Sequence, residues 1–304
     1  MTSLQVQKIW QQAPHNAFTD LACFRQAFWC VFREGTAHVS PDGSFRILRS
    51  ADAENWQPVA LITHPSADLR DAKLSILPDG RLLLLGAGAL HDRSQQTHQS
   101  YIWLSDDGYH WSDAVACGEA DIWLWRLSWH QQTAYALGYK CGKPHFVRLY
   151  QSHDARHFHP LSPSIYQGSY ANESGLLFEP DGTALCLLRR DPDNGLFGTA
   201  QPPYTDWQWQ DIGCRIGGPQ WVQLDDGRLL ACVRLYDSDI RTSLVTIDKK
   251  DGKLSEIISL PSSGDCSYAG MVLQEQQLYI SYYSSHEGKS AIYLATLDVR
   301  KSGI

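Results

Sequence analysis

One phrase recurs six times along this chain and constrains its fold more than any other feature: an apolar strand, a tight turn, a second apolar strand, then a third. The clearest copies are LPDGRLLLLGA (77–87), EPDGTALCLLR (179–189) and LDDGRLLACVR (224–234), and weaker ones are CFRQAFWCVFR (23–33), WHQQTAYALGY (129–139) and QEQQLYISYY (274–283). The turns centre near residues 25, 79, 131, 181, 226 and 276. That is a period of about fifty residues, the length of one three- or four-stranded propeller blade. Asp-Gly between apolar runs is a strong hairpin signal. First strands lie upstream of each copy (FTDLACF, LRDAKLSIL, LWRLSWH, NESGLLF, GPQWVQL, YAGMVLQ) and third strands downstream. Little of the chain reads as helix. The expected fold is all-β, a six-bladed β-propeller forming a single domain over residues 1–304. The N-terminal segment VQKIWQ is expected to supply the outer strand of the last blade, closing the ring and removing its exposed edges.

Composition narrows the partners. A net charge of −7 disfavours nucleic acid or an anionic membrane as the principal partner. The longest apolar run, Leu82 to Leu90, is too short to span a bilayer. The N-terminus lacks the basic and apolar segments of a signal peptide. The eight cysteines show no CxxC pair and no zinc-ligand spacing. They read as buried free thiols of a reducing compartment, so the expectation is a soluble cytoplasmic protein with no metal and no cofactor.

In a propeller the innermost strand of each blade lines the axis. The repeat places Thr19 and Asp20, Arg70 and Asp71, Trp125 and Arg126, Asn172 and Glu173, Gly218 and Pro219, and Ser267 and Tyr268 at one rim. The ends of the second strands add Arg33, Ala87, Tyr139, Arg189, Arg234 and Tyr283, and the third strands add Arg46, Arg241 and Lys289. A solvated surface would scatter its charge, whereas here Arg, Asp, Glu and Tyr recur at one register. His38, His91 and His286 fall in loops expected to crown the axis, where together they would suit acid–base work or metal binding, although a single histidine is more often structural. Trp125 is either core or a platform for a sugar ring. SYYSSHEGKS (281–290) forms a hairpin loop in which Glu287 is a candidate orienting carboxylate.

A second signature follows the third strand of three blades. Ser105-Asp106-Asp107-Gly108-Tyr109-His110-Trp111 fits S-x-D-G-x-x-W, while Ser50/Asp52/Trp56 and Ser152/Asp154/Phe158 keep the spacing with alanine at the glycine position. This resembles the Asp-box of the sialidase superfamily, a structural turn away from the catalytic face. The resemblance reaches individual residues. NESGLLFEPDGTALCLLR matches the family pattern of a Glu opening blade four and an Arg ending the next strand, which implies roles for Glu173 and Arg189. The Arg beginning the third strand of blade five looks like Arg241, and the Tyr opening blade six looks like Tyr268. The resemblance implies a sialidase-like propeller with Tyr268 as nucleophile, Glu173 as its base, and Arg189 and Arg241 as carboxylate clamps. A sugar bearing a carboxylate at its anomeric carbon repels an anionic nucleophile, and sialidases accordingly use tyrosine.

The chain departs from that pattern at blade one. Where the family has Arg-Ile-Pro, this sequence has Phe18-Thr19-Asp20-Leu21. Arg33, Arg70 and Arg126 are the candidates to restore the missing clamp, and Glu34 fits the acid beside it. The family's acid Asp lies in the loop after the second strand of blade one, where GTAHVSPDGS offers Asp42 and His38; Pro-Asp-Gly is also an ordinary turn. The expected activity is a retaining exo-glycosidase releasing a terminal acidic sugar, sialic acid or a related keto-sugar acid. Two alternatives keep the propeller: a uronic-acid-directed hydrolase or lyase using His, Tyr and Arg, and a non-catalytic carbohydrate-binding protein.

Overall fold

The computed structural model describes residues 4–300, and no helix occurs among them. The strands form six antiparallel sheets arranged as consecutive blades. The innermost strands are His15–Phe24, Ala67–Ile76, Ile122–His130, Tyr170–Phe178, Ile216–Gln223 and Cys266–Gln274. Each is followed outward by strands two, three and four of its own blade, and blade three carries an extra short strand, Tyr166–Gln167. The blade boundaries therefore follow the sequence repeat.

Blade six closes as the sequence predicts. Gln5–Trp10 pairs antiparallel with Ala291–Asp298, from Gln5 opposite Thr296 to Trp10 opposite Ile292. Trp10 Nε1 then reaches into blade one and donates to Glu34 Oε1 at 2.6 Å. The closing strand thus ties the last blade to the first.

The alternation of each strand sends one set of apolar side chains into each inter-blade gap. Phe45 of blade one meets Trp103 of blade two edge-on, with ring centroids 5.7 Å apart. Phe197 of blade four meets Trp221 of blade five in the same manner at 6.3 Å.

The three Ser-x-Asp turns close alike. Asp52, Asp107 and Asp154 each accept two backbone N–H groups from the turn, at 2.8–2.9 Å. Trp56 and Trp111 donate their indole N–H to the carbonyls of Ala53 and Gly108. Ala53, Gly108 and Ala155 occupy the left-handed region, which explains the small residue there. Blade four repeats the closure with neither Ser nor Asp: Trp207 Nε1 donates to the carbonyl of Tyr204, which also has a positive φ. The sequence signature missed this fourth turn because its polar residues have been replaced.

Candidate active site at the propeller axis

Every innermost strand slips register by one residue at the same depth. The slips fall between Ala17 and Asp20, Arg70 and Lys73, Leu124 and Leu127, Ala171 and Ser174, Gly217 and Gln220, and Ser267 and Gly270. A bulge of this kind re-aims side chains out of the sheet alternation. Phe18, Asp71, Gly218 and Tyr268 adopt left-handed φ values of 59°, 55°, 54° and 51° at these bulges, and Ser267 reaches 84°. For the non-glycine residues this costs on the order of 1 kcal/mol or more each. The bulges bring their residues together at the propeller axis.

Tyr268 is buried there, with Phe18 and Trp125 edge-on to it at 5.1 and 5.9 Å. Gly218 lies so close that a Cβ there would stand 3.1 Å from Tyr268 Cγ. The phenol donates to Glu173 Oε1 at 2.5 Å. Glu173 Oε2 accepts from Arg189 Nη1 at 2.6 Å and from the Gly218 backbone N–H at 2.8 Å. Arg189 Nη1 also lies 2.9 Å from the phenol oxygen, and the Arg234 guanidinium stands 5.2 Å above the ring. Burial and the neighbouring Glu173 charge push the phenol well above its ordinary pKa, with Arg189 and Arg234 pulling the other way. Tyr268 is therefore a neutral phenol held against a base and two cations.

Asp71 is the second acid in the ring. It is buried, and its Oδ1 has no hydrogen-bond partner. Burial raises its pKa, with Lys73 and Arg70 opposing. Its proton is therefore held more tightly than that of an exposed carboxyl. Arg70 is held only loosely: its closest carboxylate is Asp68 at 4.0 Å, its Nε is unpartnered, and its guanidinium stands 5.2 Å over Phe18.

Another ion cluster joins blades one, two and three. Arg126 pairs with Asp20 at 2.8 Å, Asp20 also accepts the Leu74 N–H, and the Lys73 ammonium stands 4.7 Å from the Trp125 ring centre. Burial, with Arg126 adding to it, pulls the Lys73 amine down to about 8. Arg126 and Asp20 pair here and link the inner strands.

Along the wall beside Tyr268, Asp265 gathers three partners. His15 Nε2 and His38 Nδ1 lie 3.0 and 2.8 Å from its Oδ2, and the Tyr283 hydroxyl donates to Oδ1 at 2.6 Å. Arg234 donates to the Cys266 carbonyl and to the Tyr283 oxygen. His91 and His286 do not join this group. His91 contacts the Pro41 carbonyl, and His286 contacts Ser284. Neither His15 nor Asp265 was singled out from the sequence. The only signal was their place just upstream of innermost-strand residues that face the axis.

Several expected site residues lie elsewhere. Arg241 opens its strand facing away from Arg234, because Arg234 stands opposite Thr242 and neighbours on a strand alternate faces. Its guanidinium is held by Asp237 and by Glu256 of the outermost strand. Arg234, one strand further in, takes the position beside Tyr268. Arg33 is fully buried and binds Asp68, the Ala37 carbonyl and Ser40, so it braces the loop that carries His38. Glu34 bonds Trp10 and Arg46. Asp42 accepts from Thr36 N and Oγ1 and closes an exposed turn. Glu287 pairs with Lys8 of the closing strand. Local hydrogen bonding or strand alternation captured each of these before it could face the axis.

The fold defines the class, a six-bladed β-propeller. No protein-family model matches the chain, and no curated protein matches it. Among solved structures it is similar to a protein of unknown function from Dyadobacter fermentans, with a TM-score of 0.87 and 16% identity over 98% of this chain and 99% of that one. It is also similar to an α-L-arabinanase of Penicillium chrysogenum complexed with arabinobiose, with a TM-score of 0.75 and 14% identity over 99% of each chain. A third likeness is to a Trypanosoma rangeli sialidase, with a TM-score of 0.72 and 11% identity over 94% of this chain and 55% of the sialidase. At these identities the likeness is one of fold.

Proposed function

We propose that the chain is an exo-acting glycosidase of the sialidase type, with Tyr268 as nucleophile, Glu173 as its base and Asp71 as proton donor. The observation that carries this reading is the 2.5 Å hydrogen bond from the Tyr268 phenol to Glu173, with Arg189 on both groups. A phenol is a weak nucleophile until an adjacent base takes its proton, and nearby cations stabilise the anion that forms. In the first step Tyr268 Oη attacks the anomeric carbon while its proton passes to Glu173 Oε1. The glycosidic oxygen departs with the proton of Asp71. In the second step water attacks the same carbon, Asp71 takes the proton of that water, and Glu173 returns its proton to the departing phenolate.

Sialidase and arabinanase structures share this fold, which supports a carbohydrate substrate. An acidic sugar is supported by Arg70, Arg189 and Arg234, which bring three positive charges around Phe18 and Tyr268. One observation favours a second reading, a neutral furanoside such as an arabinoside. Arg189 and Arg234 are already engaged by protein groups, which leaves Arg70 as the loosely held cation.

A panel of fluorogenic glycosides carrying sialic acid, other keto-sugar acids, uronic acids and α-L-arabinofuranose tests both readings, with Tyr268→Phe as control. Turnover of an acidic glycoside that Tyr268→Phe abolishes supports the first. Turnover confined to the arabinoside supports the second. Wild-type rates in Tyr268→Phe and Glu173→Gln overturn the mechanism, as does an unsaturated ultraviolet-absorbing product, which marks a lyase. Tight glycan binding without turnover on any member marks a binding protein instead.

A further inference from the structure

The wall beside Tyr268 holds a second constellation that the glycosidase chemistry does not use. His15 opens the innermost strand of blade one, His38 lies in the loop after the next strand, and Asp265 precedes the innermost strand of blade six. Their ligand-capable atoms, one from each residue, all lie within 4.8 Å of one another. Both imidazole nitrogens converge on one carboxylate oxygen, at 3.0 and 2.8 Å. First-row metals bind imidazole nitrogen and carboxylate oxygen at about 2.0–2.2 Å, and ligands at such lengths around one ion are separated by about 3.0–3.4 Å. The observed nitrogen–oxygen separations are already within a few tenths of an ångström of that spacing.

Outer-shell support is present for the carboxylate and for the His38 loop, while His15 Nδ1 is buried without a partner. The other Asp265 oxygen is fixed by the Tyr283 hydroxyl, and Arg234 stands 3.8 Å from it, so the carboxylate is oriented from behind. The loop bearing His38 is braced on both sides of that residue. Arg33, with no solvent exposure, donates to the Ala37 carbonyl before it and to Ser40 after it. His38 itself is half exposed, at 48%, while His15 is largely enclosed, at 12%. A buried guanidinium thus holds one outward-reaching imidazole in place against a carboxylate and a second imidazole.

We propose that His15 Nε2, His38 Nδ1 and Asp265 Oδ2 form a binding site for one first-row divalent cation beside the axial Tyr268 cluster. Two histidines and one carboxylate leave coordination positions free, and the exposed side of His38 gives water or a ligand oxygen access to them. The Phe18 ring lies 5.2 Å from His38 and 5.1 Å from Tyr268, so the cation would sit one side chain away from the Tyr268–Glu173 pair. Nothing in this proposal depends on the reaction assigned to Tyr268.

The test is a calorimetric titration of the full chain with Zn²⁺ after dialysis against a chelator. One equivalent is expected to bind. Outer-shell partners alone are worth about 10–100-fold in metal affinity, so losing a ligand in His38→Ala or Asp265→Asn should weaken binding by at least about 100-fold. His91→Ala and His286→Ala should bind as the parent does. Because His38 is half exposed, His38→Ala is not expected to disturb folding, and circular dichroism checks this. Co²⁺ should give visible d–d bands without a thiolate charge-transfer band, and those bands should vanish in His38→Ala. Absence of binding below millimolar concentrations, binding that survives in His38→Ala, or a thiolate band each overturns the proposal.

Discussion

The Tyr268 phenol and the Glu173 carboxylate meet at 2.5 Å although 95 residues separate them in sequence and they stand on blades six and four. The contact exists because two bulged strands turn toward the same axis, and Gly218 of the intervening blade contributes only a backbone N–H between them. Tyr268→Phe and Glu173→Gln should therefore each lower turnover while leaving the fold intact. A positioned base contributes about 100- to 10,000-fold, which is the loss expected for Glu173→Gln. Steady-state rates on the responsive glycoside, read beside melting curves, check both halves of the statement.

Asp71 should set the alkaline side of the pH–rate profile. Its proton is needed for leaving-group departure, and burial raises its pKa, so activity falls as pH rises through that elevated value. Asp71→Asn should remove this limb along with most of the activity. The same shift has a stability consequence of definite sign. With the folded-state pKa above the unfolded one, stability is fully present below the unfolded value near 3.8 and declines as pH rises through the folded value. Asp71→Asn should thus melt higher than the parent at neutral pH, and the gap should close in acid. A melting series from acid to neutral pH measures this directly.

Two arginines that look alike in sequence should behave oppositely. Arg70 is loosely held over Phe18, so Arg70→Ala should raise KM for an acidic glycoside by at least about tenfold, the weight of one charge-assisted contact. Arg241 is held by Asp237 and Glu256, so Arg241→Ala should leave kcat and KM within about twofold of the parent. A drop in turnover for Arg241→Ala comparable with that for Arg70→Ala would contradict this placement.

Gly218→Ala tests how tightly the ring is packed. The new methyl would sit 3.1–3.2 Å from Tyr268 at a residue whose φ is +54°. Destabilisation of about 1–2 kcal/mol is expected from the backbone alone. Displacing the phenol should also lower kcat/KM by at least about tenfold, since misplacement of a reacting group by about 1 Å can cost 100-fold. Denaturant titration and kinetics on the same preparation separate the two effects.

Trp10→Ala should loosen the closing seam. It removes a part-buried indole and leaves Glu34 without the 2.6 Å hydrogen bond, for a loss of about 2–4 kcal/mol. Urea unfolding reports the loss, and light scattering reports association through the edge that a detached strand would expose.

Much of this molecule was legible in its sequence. The repeat located six blades, and VQKIWQ took up its expected place as the closing strand. The register of the repeat also put Glu173, Arg189, Arg234 and Tyr268 on one rim, where they meet. The misplacements share a cause. Arg33, Glu34, Asp42 and Arg241 have the right residue types near the right strand ends, but each found a nearer partner. Chemistry and spacing along the chain do not reveal that competition.

What the sequence determined alone was periodic: strand alternation, turn chemistry and blade length are local properties, written into neighbouring residues and repeated until the ring closes. What only the tertiary structure decided was direction. Left-handed φ values at Phe18 and Tyr268 leave no mark in residue identity, because aromatic side chains ordinarily avoid that region. The blades packed around the axis hold them there and convert six similar strands into one asymmetric cluster of side chains.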